Sequence, residues 1–166
     1  LREAGLEVEG GVLRRECEAL HAPFFKHVLT GLPLVTLKVA STLDGSIAAS
    51  SGDSRWVTGE AARLRVHELR GQVDAVLVGA GTARADDPQL TDRREGATRQ
   101  PLRVVVVGRE ELPPTLKLLT DRAARTLVVA AQQGGPAGLE QACQQEAVEL
   151  ARVEGEGGRP SLEAVL

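Results

Sequence analysis

Four short apolar runs constrain this chain more than any other feature: DAVLV at 74–78, LRVVVV at 102–107, RTLVVAA at 125–131 and VELARV at 148–153. Short and bounded by polar or turn residues, all four read as strands, DAVLV a buried one by its continuous apolar run and LRVVVV the strongest. Between them lie helical stretches: GEAARLRVHELR over 59–70, the end of GAGTARADDP as far as Pro88, and GLEQACQQEAV over 138–148. Strands alternating with helices predict an α/β fold with a largely parallel sheet, and LRVVVV is the run best suited to its centre. Thr58 stands where a helix N-cap acceptor is expected, and Glu60 adds a charge that suits the positive end of the helix dipole.

Upstream, GLEV at 5–8 predicts a short strand, and Leu13, Cys17, Leu20, Phe24 and Val28 recur at the three-and-four spacing of an amphipathic helix. Gly31 and Pro33 end it, and the β-branched run LVTLKVA follows, so a boundary falls near residue 32 with a tail or linker before it. In LVTLKVA the residues Thr36, Lys38 and Ala40 share one face of an expected strand, which places Lys38 on a polar or ligand-lined surface. The chain opens on Leu without Met, and PSLEAVL starts an apolar helical face with no stop signal, so both ends read as truncated.

At 166 residues the chain fits one domain, or one domain with a fragment of another. A net charge of −3 supplies no basic field for nucleic acid, and two Phe, one Trp and no Tyr supply no base-stacking platform. Cys17 and Cys143 have neither disulfide-framework nor zinc spacing, which predicts no metal site and a reducing, cytoplasmic setting. No apolar run is long enough for a membrane span. His21 and His67 lack partners at metal or triad spacing, no GxSxG occurs, and His67 is expected to pack or face water.

Taken singly, the chemistry-bearing residues leave alternatives open. Gly79 and Gly81 in GAGTARADDP suit close approach of backbone N–H groups to a phosphate, and equally suit an ordinary turn. Asp86 and Asp87 fit an acid/base or ribose-binding role, or a helix-ending turn. Trp56 fits a cofactor contact or a core plug, and Arg63 with Arg70 on one helix face fits a phosphate site or solvated charge.

Taken in order, LKVASTLDGSIAASSGDSRWVTGEAARLRVHELRGQVDAVLVGAGTARADDPQLTDR at 37–93 closely resembles the reductase domain of bacterial riboflavin-biosynthesis deaminase/reductases. The likeness runs without a gap and includes LDG, SGxSxWVT, VGxGT and ADDPxLTxR, a combination far more specific than any part. Residues 1–33 resemble the end of the preceding deaminase domain and its link, leaving 34–166 as the front part of the reductase.

The resemblance implies a dihydrofolate-reductase-like fold, incomplete at its C-terminus. It also implies NADPH-dependent reduction of the ribosyl chain of 5-amino-6-(5-phosphoribosylamino)uracil. It places Ala40, Trp56, Thr82 and Asp86 against the cofactor and Ser54, Arg70, Leu90 and Arg93 against a small phosphorylated pyrimidine. Lys38 and Asp86 take the catalytic positions, and association with further copies runs through this domain. The zinc-binding HAE and PCxxC segments of the deaminase are absent, Gly108 stands where relatives often carry a polar residue, and no residue is marked as meeting a 2′-phosphate. Two other readings are open: a dihydrofolate-reductase-like domain acting on another heterocycle, and a non-catalytic nucleotide-binding or dimerising scaffold.

Overall fold

A computed structural model describes residues 1–53 and 57–166. Contacts divide the chain into two compact units, Leu1–Val39 with Leu166, and Ala40–Val165. In the first, the expected single helix is two: α1 (Arg14–Leu20) and α2 (Ala22–Thr30), separated at His21. Pro23 sits in the first turn of α2, where its missing N–H costs nothing. Inside one continuous helix its ring would strike the carbonyl of residue 19, so the chain restarts there. Gly31, at φ 72°, closes α2 with its N–H on the His27 carbonyl.

Two expected strands are not formed. The 5–8 segment follows a 3-10 turn over Arg2–Ala4 and is irregular, and so is 33–41. Leu37 is 85% exposed, and Thr36 and Lys38 are exposed beside it. Alternation and β-branching specify an extended backbone, but a strand also needs a ladder partner for its N–H and C=O groups. Neither segment has one among the described residues.

The second unit carries the sheet. Helix α3 (Glu60–Gln72) leads into β1 (Ala75–Gly79), then α4 (Ala80–Asp86), β2 (Leu102–Val107), α5 (Lys117–Thr120), β3 (Thr126–Ala131), α6 (Leu139–Ala142) and β4 (Val148–Val153). The strands lie in the order β1-β2-β3-β4, every neighbouring pair parallel, so LRVVVV is interior as its composition requires. Register puts Val78, Val105, Val128 and Leu150 side by side on one face. That face buries against Leu116, Leu118, Leu119, Leu139 and Ala83, each fully buried Val or Leu contributing roughly 1.5–3 kcal/mol.

Three local details differ from expectation. The cap of α3 is Gly59, not Thr58, and it makes no side-chain cap bond. Helix α6 is one turn rather than eleven residues, because the chain must leave it at Cys143 to bring Val148 into register with Thr126. After β4, the EGEGGRP segment folds into an antiparallel hairpin of β5 (Gly155–Glu156) and β6 (Arg159–Pro160), and α7 (Leu162–Val165) follows. Its turn residues Gly157 and Gly158 have φ 57° and 76°, the mirror-image turn that matches strand twist and that glycine adopts without a Cβ penalty. Among the described residues no helix is long and apolar enough to cross a membrane.

Candidate functional site

Because β1 to β4 are parallel, their carboxyl ends share one edge, the place where open α/β sheets collect ligands. β1 passes directly into α4 there, so the expected Gly-rich loop is instead the start of a helix. Gly81 has nothing within 4 Å of where a Cβ would stand, leaving bare backbone on the wall of a cleft of about 310 Å³. Ala80, Val106, Gly108, Arg109 and Arg159 complete most of that wall. Hairpin residue Arg159 reaches back over β2: a Cβ on Gly108 would lie 3.6 Å from its Cγ. Arg109 answers from the segment just after β2, its Nε donating to the Gly157 carbonyl. A wider depression of about 1170 Å³ adjoins, bounded by the hairpin and Gln132–Gly134 and sharing both arginines.

Helix α4 buries Ala80 and Ala83 and turns Thr82 and Asp86, four residues apart, to its exposed face. The paired aspartates therefore separate in role. Asp87 adopts a left-handed conformation at φ 39°, accepts the Lys117 N–H at 2.8 Å and pairs with the Lys117 ammonium at 3.1 Å. Those bonds, the backbone one first, hold its carboxyl below the usual range, which makes Asp87 the helix-ending turn.

A second cluster joins the last turns of α3 to the segment after α4. Arg70 Nη1 donates to the Thr91 carbonyl at 3.2 Å, and His67 Nδ1 lies 3.1 Å from that oxygen. His67 Nε2 lies 3.4 Å from Nη2 of Arg93. The Arg93 backbone N–H donates to Nδ1 at 3.2 Å, and its guanidinium, which only donates, faces Nε2, so the neutral ring serves as an acceptor toward Arg93. Burial, then Arg70 and Arg93, push the imidazole pKa down, which keeps that acceptor available. Burial and Arg93 likewise lower the pKa of Arg70.

Asp92 is the nearest carboxylate, but Arg94 holds it with both oxygens engaged, at 2.7 to 3.1 Å. Those bonds bring the Asp92 pKa down to about 2. A Cβ on Gly71 would stand 2.5 Å from Arg94 Nη2 and 2.6 Å from Asp92 Oδ2, so a larger residue there would push this ion pair aside. Arg70 and Arg93 are thus brought together from 23 residues apart (93 less 70), without a carboxylate of their own among the described residues. Arg63 is not with them; its Nη1 donates to the Thr58 carbonyl at 2.9 Å, at the far end of α3. Leu90 has φ 55° and a side chain buried in the core, so a ligand there would meet its backbone.

Of the other expected site residues, Ala40 is half-buried in the irregular segment and Lys38 is exposed in the first unit. Ser54 and Trp56 lie outside the described residues. His67, Arg109 and Arg159 were not anticipated as site residues. For His67 the signal was its three-residue spacing from Arg70 on one helix; for Arg159 it was the Gly-Gly turn before it.

Comparison with known proteins gives a consistent result. The model of the RibD C-terminal domain matches residues 33–155. The riboflavin biosynthesis protein RibD of Bacillus amyloliquefaciens is 47% identical over 131 residues, 79% of this chain and 35% of that protein. A Thermotoga maritima crystal structure, described as a diaminohydroxyphosphoribosylaminopyrimidine deaminase/5-amino-6-(5-phosphoribosylamino)uracil reductase, superposes with TM-score 0.81 at 37% identity. The match covers 99% of this chain and 43% of that one. Acinetobacter baumannii RibD gives TM-score 0.75 at 34% identity, over 95% of this chain and 43% of that one. The chain thus spans between about a third and a little over two fifths of these relatives.

Proposed function

The chain belongs to the RibD C-terminal domain family, and on that premise we propose that it carries the NADPH-dependent reduction of 5-amino-6-(5-phosphoribosylamino)uracil to its ribityl form, within a longer protein that also bears a zinc deaminase domain. Residues 1–33 are then the end of that deaminase and its linker. The protein works in the cytoplasm and associates with further copies through this domain. Its fold is the dihydrofolate-reductase-like one of the reductase domains it superposes on.

One observation carries the reading: Arg70 and Arg93 converge while the neighbouring Asp92 is neutralised by Arg94. Two guanidinium forks with no carboxylate between them suit a dianionic phosphate monoester, which they would hold by bidentate bonds. With its phosphate held, the ribosylamine opens to an imine whose C1′ is the electrophile. NADPH supplies the hydride when bound. The carboxyl-edge cleft, with bare backbone at Gly81, suits a phosphate-bearing nucleotide, and the exposed Thr82 hydroxyl follows on the next residue of α4. α4 runs from that cleft toward the Arg93 segment, about 10 Å at 1.5 Å per residue.

In this reading Thr82, Asp86, Ala40 and Trp56 hold the nicotinamide side. Ser54, the Leu90 backbone, Arg70 and Arg93 hold the substrate. Asp86 manages the proton that must reach the imine nitrogen as C1′ gains hydride. Positioning does most of the work, since the cofactor carries the difficult step. Mixing the intact protein with NADPH and this substrate and following nicotinamide absorbance tests the assignment. Turnover is expected, and no oxidation under conditions where a relative turns over would refute it.

A further inference from the structure

The arginines of the second unit divide by partner. Most are held by a carboxylate, Arg84 by Glu110 and Arg152 by Glu140 among them. Arg109 and Arg159 form no ion pair among the described residues, although both stand at the mouth of the carboxyl-edge cleft. Glu110 lines the same cleft, but Arg84 neutralises it. Glu156 faces Arg159 in hairpin register without pairing to it, and Glu154 lies on the outer wall of the wider depression.

The geometry of the two side chains is reciprocal. The Arg159 stem crosses Gly108, and the Arg109 stem crosses Gly158, where a Cβ would come within 3.2 Å of Arg109 Cγ. Arg109 is fixed through Nε, which leaves the paired Nη groups, the bidentate edge of the fork, for another acceptor. The hairpin itself is pinned: a Cβ on Gly158 would stand 2.3 Å from the Gly134 carbonyl oxygen. The turn, packed closely on Gly134, therefore places Arg159 beside Arg109 where the narrow cleft opens into the wide depression.

We infer that Arg109 and Arg159 bind the ribose phosphate monoester that distinguishes NADPH from NADH, with the adenosine in the depression walled by the Gly155–Pro160 hairpin. The inference rests on the reading that a nicotinamide dinucleotide enters this cleft. A dianionic monoester on a solvent-open rim gains most from cations that no carboxylate neutralises, and these two fit that need. No covalent step is involved.

The test is equilibrium binding to the intact protein by titration calorimetry, using adenosine 2′,5′-bisphosphate, 5′-AMP, NADPH and NADH. The wild type is expected to prefer each 2′-phosphorylated ligand. Loss of one charge-assisted contact in Arg159→Gln should weaken those two ligands about tenfold and leave 5′-AMP and NADH unchanged. Arg109→Gln should act alike, but Arg109 also holds the hairpin, so Arg159→Gln is the cleaner variant. Three results would overturn the inference and leave the reductase reading standing: equal wild-type affinity for NADPH and NADH, a preference that survives both substitutions, or equal weakening of phosphorylated and unphosphorylated ligands. Failure of the wild type to bind either dinucleotide would instead remove the reading on which it rests.

Discussion

Arg103 and the Arg70–Arg93 pair show the same side chain put to opposite uses. Arg103 is fully buried in β2. It donates to an Asp121 oxygen at 2.8 Å, the Asp121 carbonyl at 3.0 Å and the Ala124 carbonyl, and only its Nε lacks a partner. Burial pushes the Asp121 pKa up, but the Ala123 N–H, Arg103 and Gln89 more than offset this. Among the described residues, Arg70 and Arg93 meet a histidine and a carbonyl and no free carboxylate. A guanidinium whose bonds are filled by its own chain holds the fold; one left short of negative charge is available to a ligand.

Replacing Arg103 should break this contrast most forcefully. Arg103→Ala leaves the Asp121 and Ala124 carbonyls without their side-chain donor and the half-buried Asp121 carboxylate without its counter-charge, and removing one partner of a buried pair costs about 3–5 kcal/mol. Urea denaturation of the intact protein should show that loss. A change below about 1 kcal/mol, the range of exposed pairs, would mean the clamp is not structural.

Arg93→Ala should do the reverse. Stability should stay within about 0.5 kcal/mol, as for an exposed site, while substrate affinity falls about tenfold to a hundredfold through loss of a charge-assisted phosphate contact. NADPH binding should be spared. Arg63→Ala is the companion control, because Arg63 bonds at the other end of α3; substrate affinity should not follow it. Equal loss of substrate and NADPH in Arg93→Ala would contradict the division of roles.

A pH series sharpens the comparison further, because the cluster around Arg93 titrates. The folded His67 pKa lies below its ordinary 6.5, so the folded state binds fewer protons than the unfolded one in that window. His67 should therefore destabilise the protein as pH falls from about 6.5 toward its lowered value. Asp92 is also depressed, to about 2 from 3.8, so its contribution is present above 3.8 and lost as pH falls toward 2. Denaturation midpoints measured from neutral pH downward should decline in two limbs. His67→Gln should remove the upper limb and keep the lower; an unchanged upper limb would assign it elsewhere.

The sheet was legible because each strand announces itself: DAVLV, LRVVVV and RTLVVAA are short, mostly apolar runs, VELARV is a mixed one that takes the sheet edge, and their alternation with helices predicts parallel pairing. The 34–40 strand misled because extended propensity is local, whereas a ladder needs a partner that the segment itself does not specify. The ADDPxLTxR motif pointed to Arg93, yet not to its relation with His67, which depends on a helix–loop contact. Arg109 was hidden for a different reason. Its sequence neighbour Glu110 looks like its counter-charge, and only the fold reveals that Glu110 belongs to Arg84.

The smallest effect is expected at Thr58, and it tests whether α3 is held at its start by a side chain or only by backbone. A true N-cap Thr loses about 0.5–2 kcal/mol on change to Ala. Here the cap is Gly59, no side-chain cap bond is made, and Thr58 contributes its carbonyl to Arg63, a group that alanine retains. Thr58→Ala should then shift the urea midpoint by less than about 0.5 kcal/mol, the range of an uninvolved surface position. A loss near 1 kcal/mol would restore Thr58 as the cap. It would also place the first free N–H groups of α3 one residue earlier.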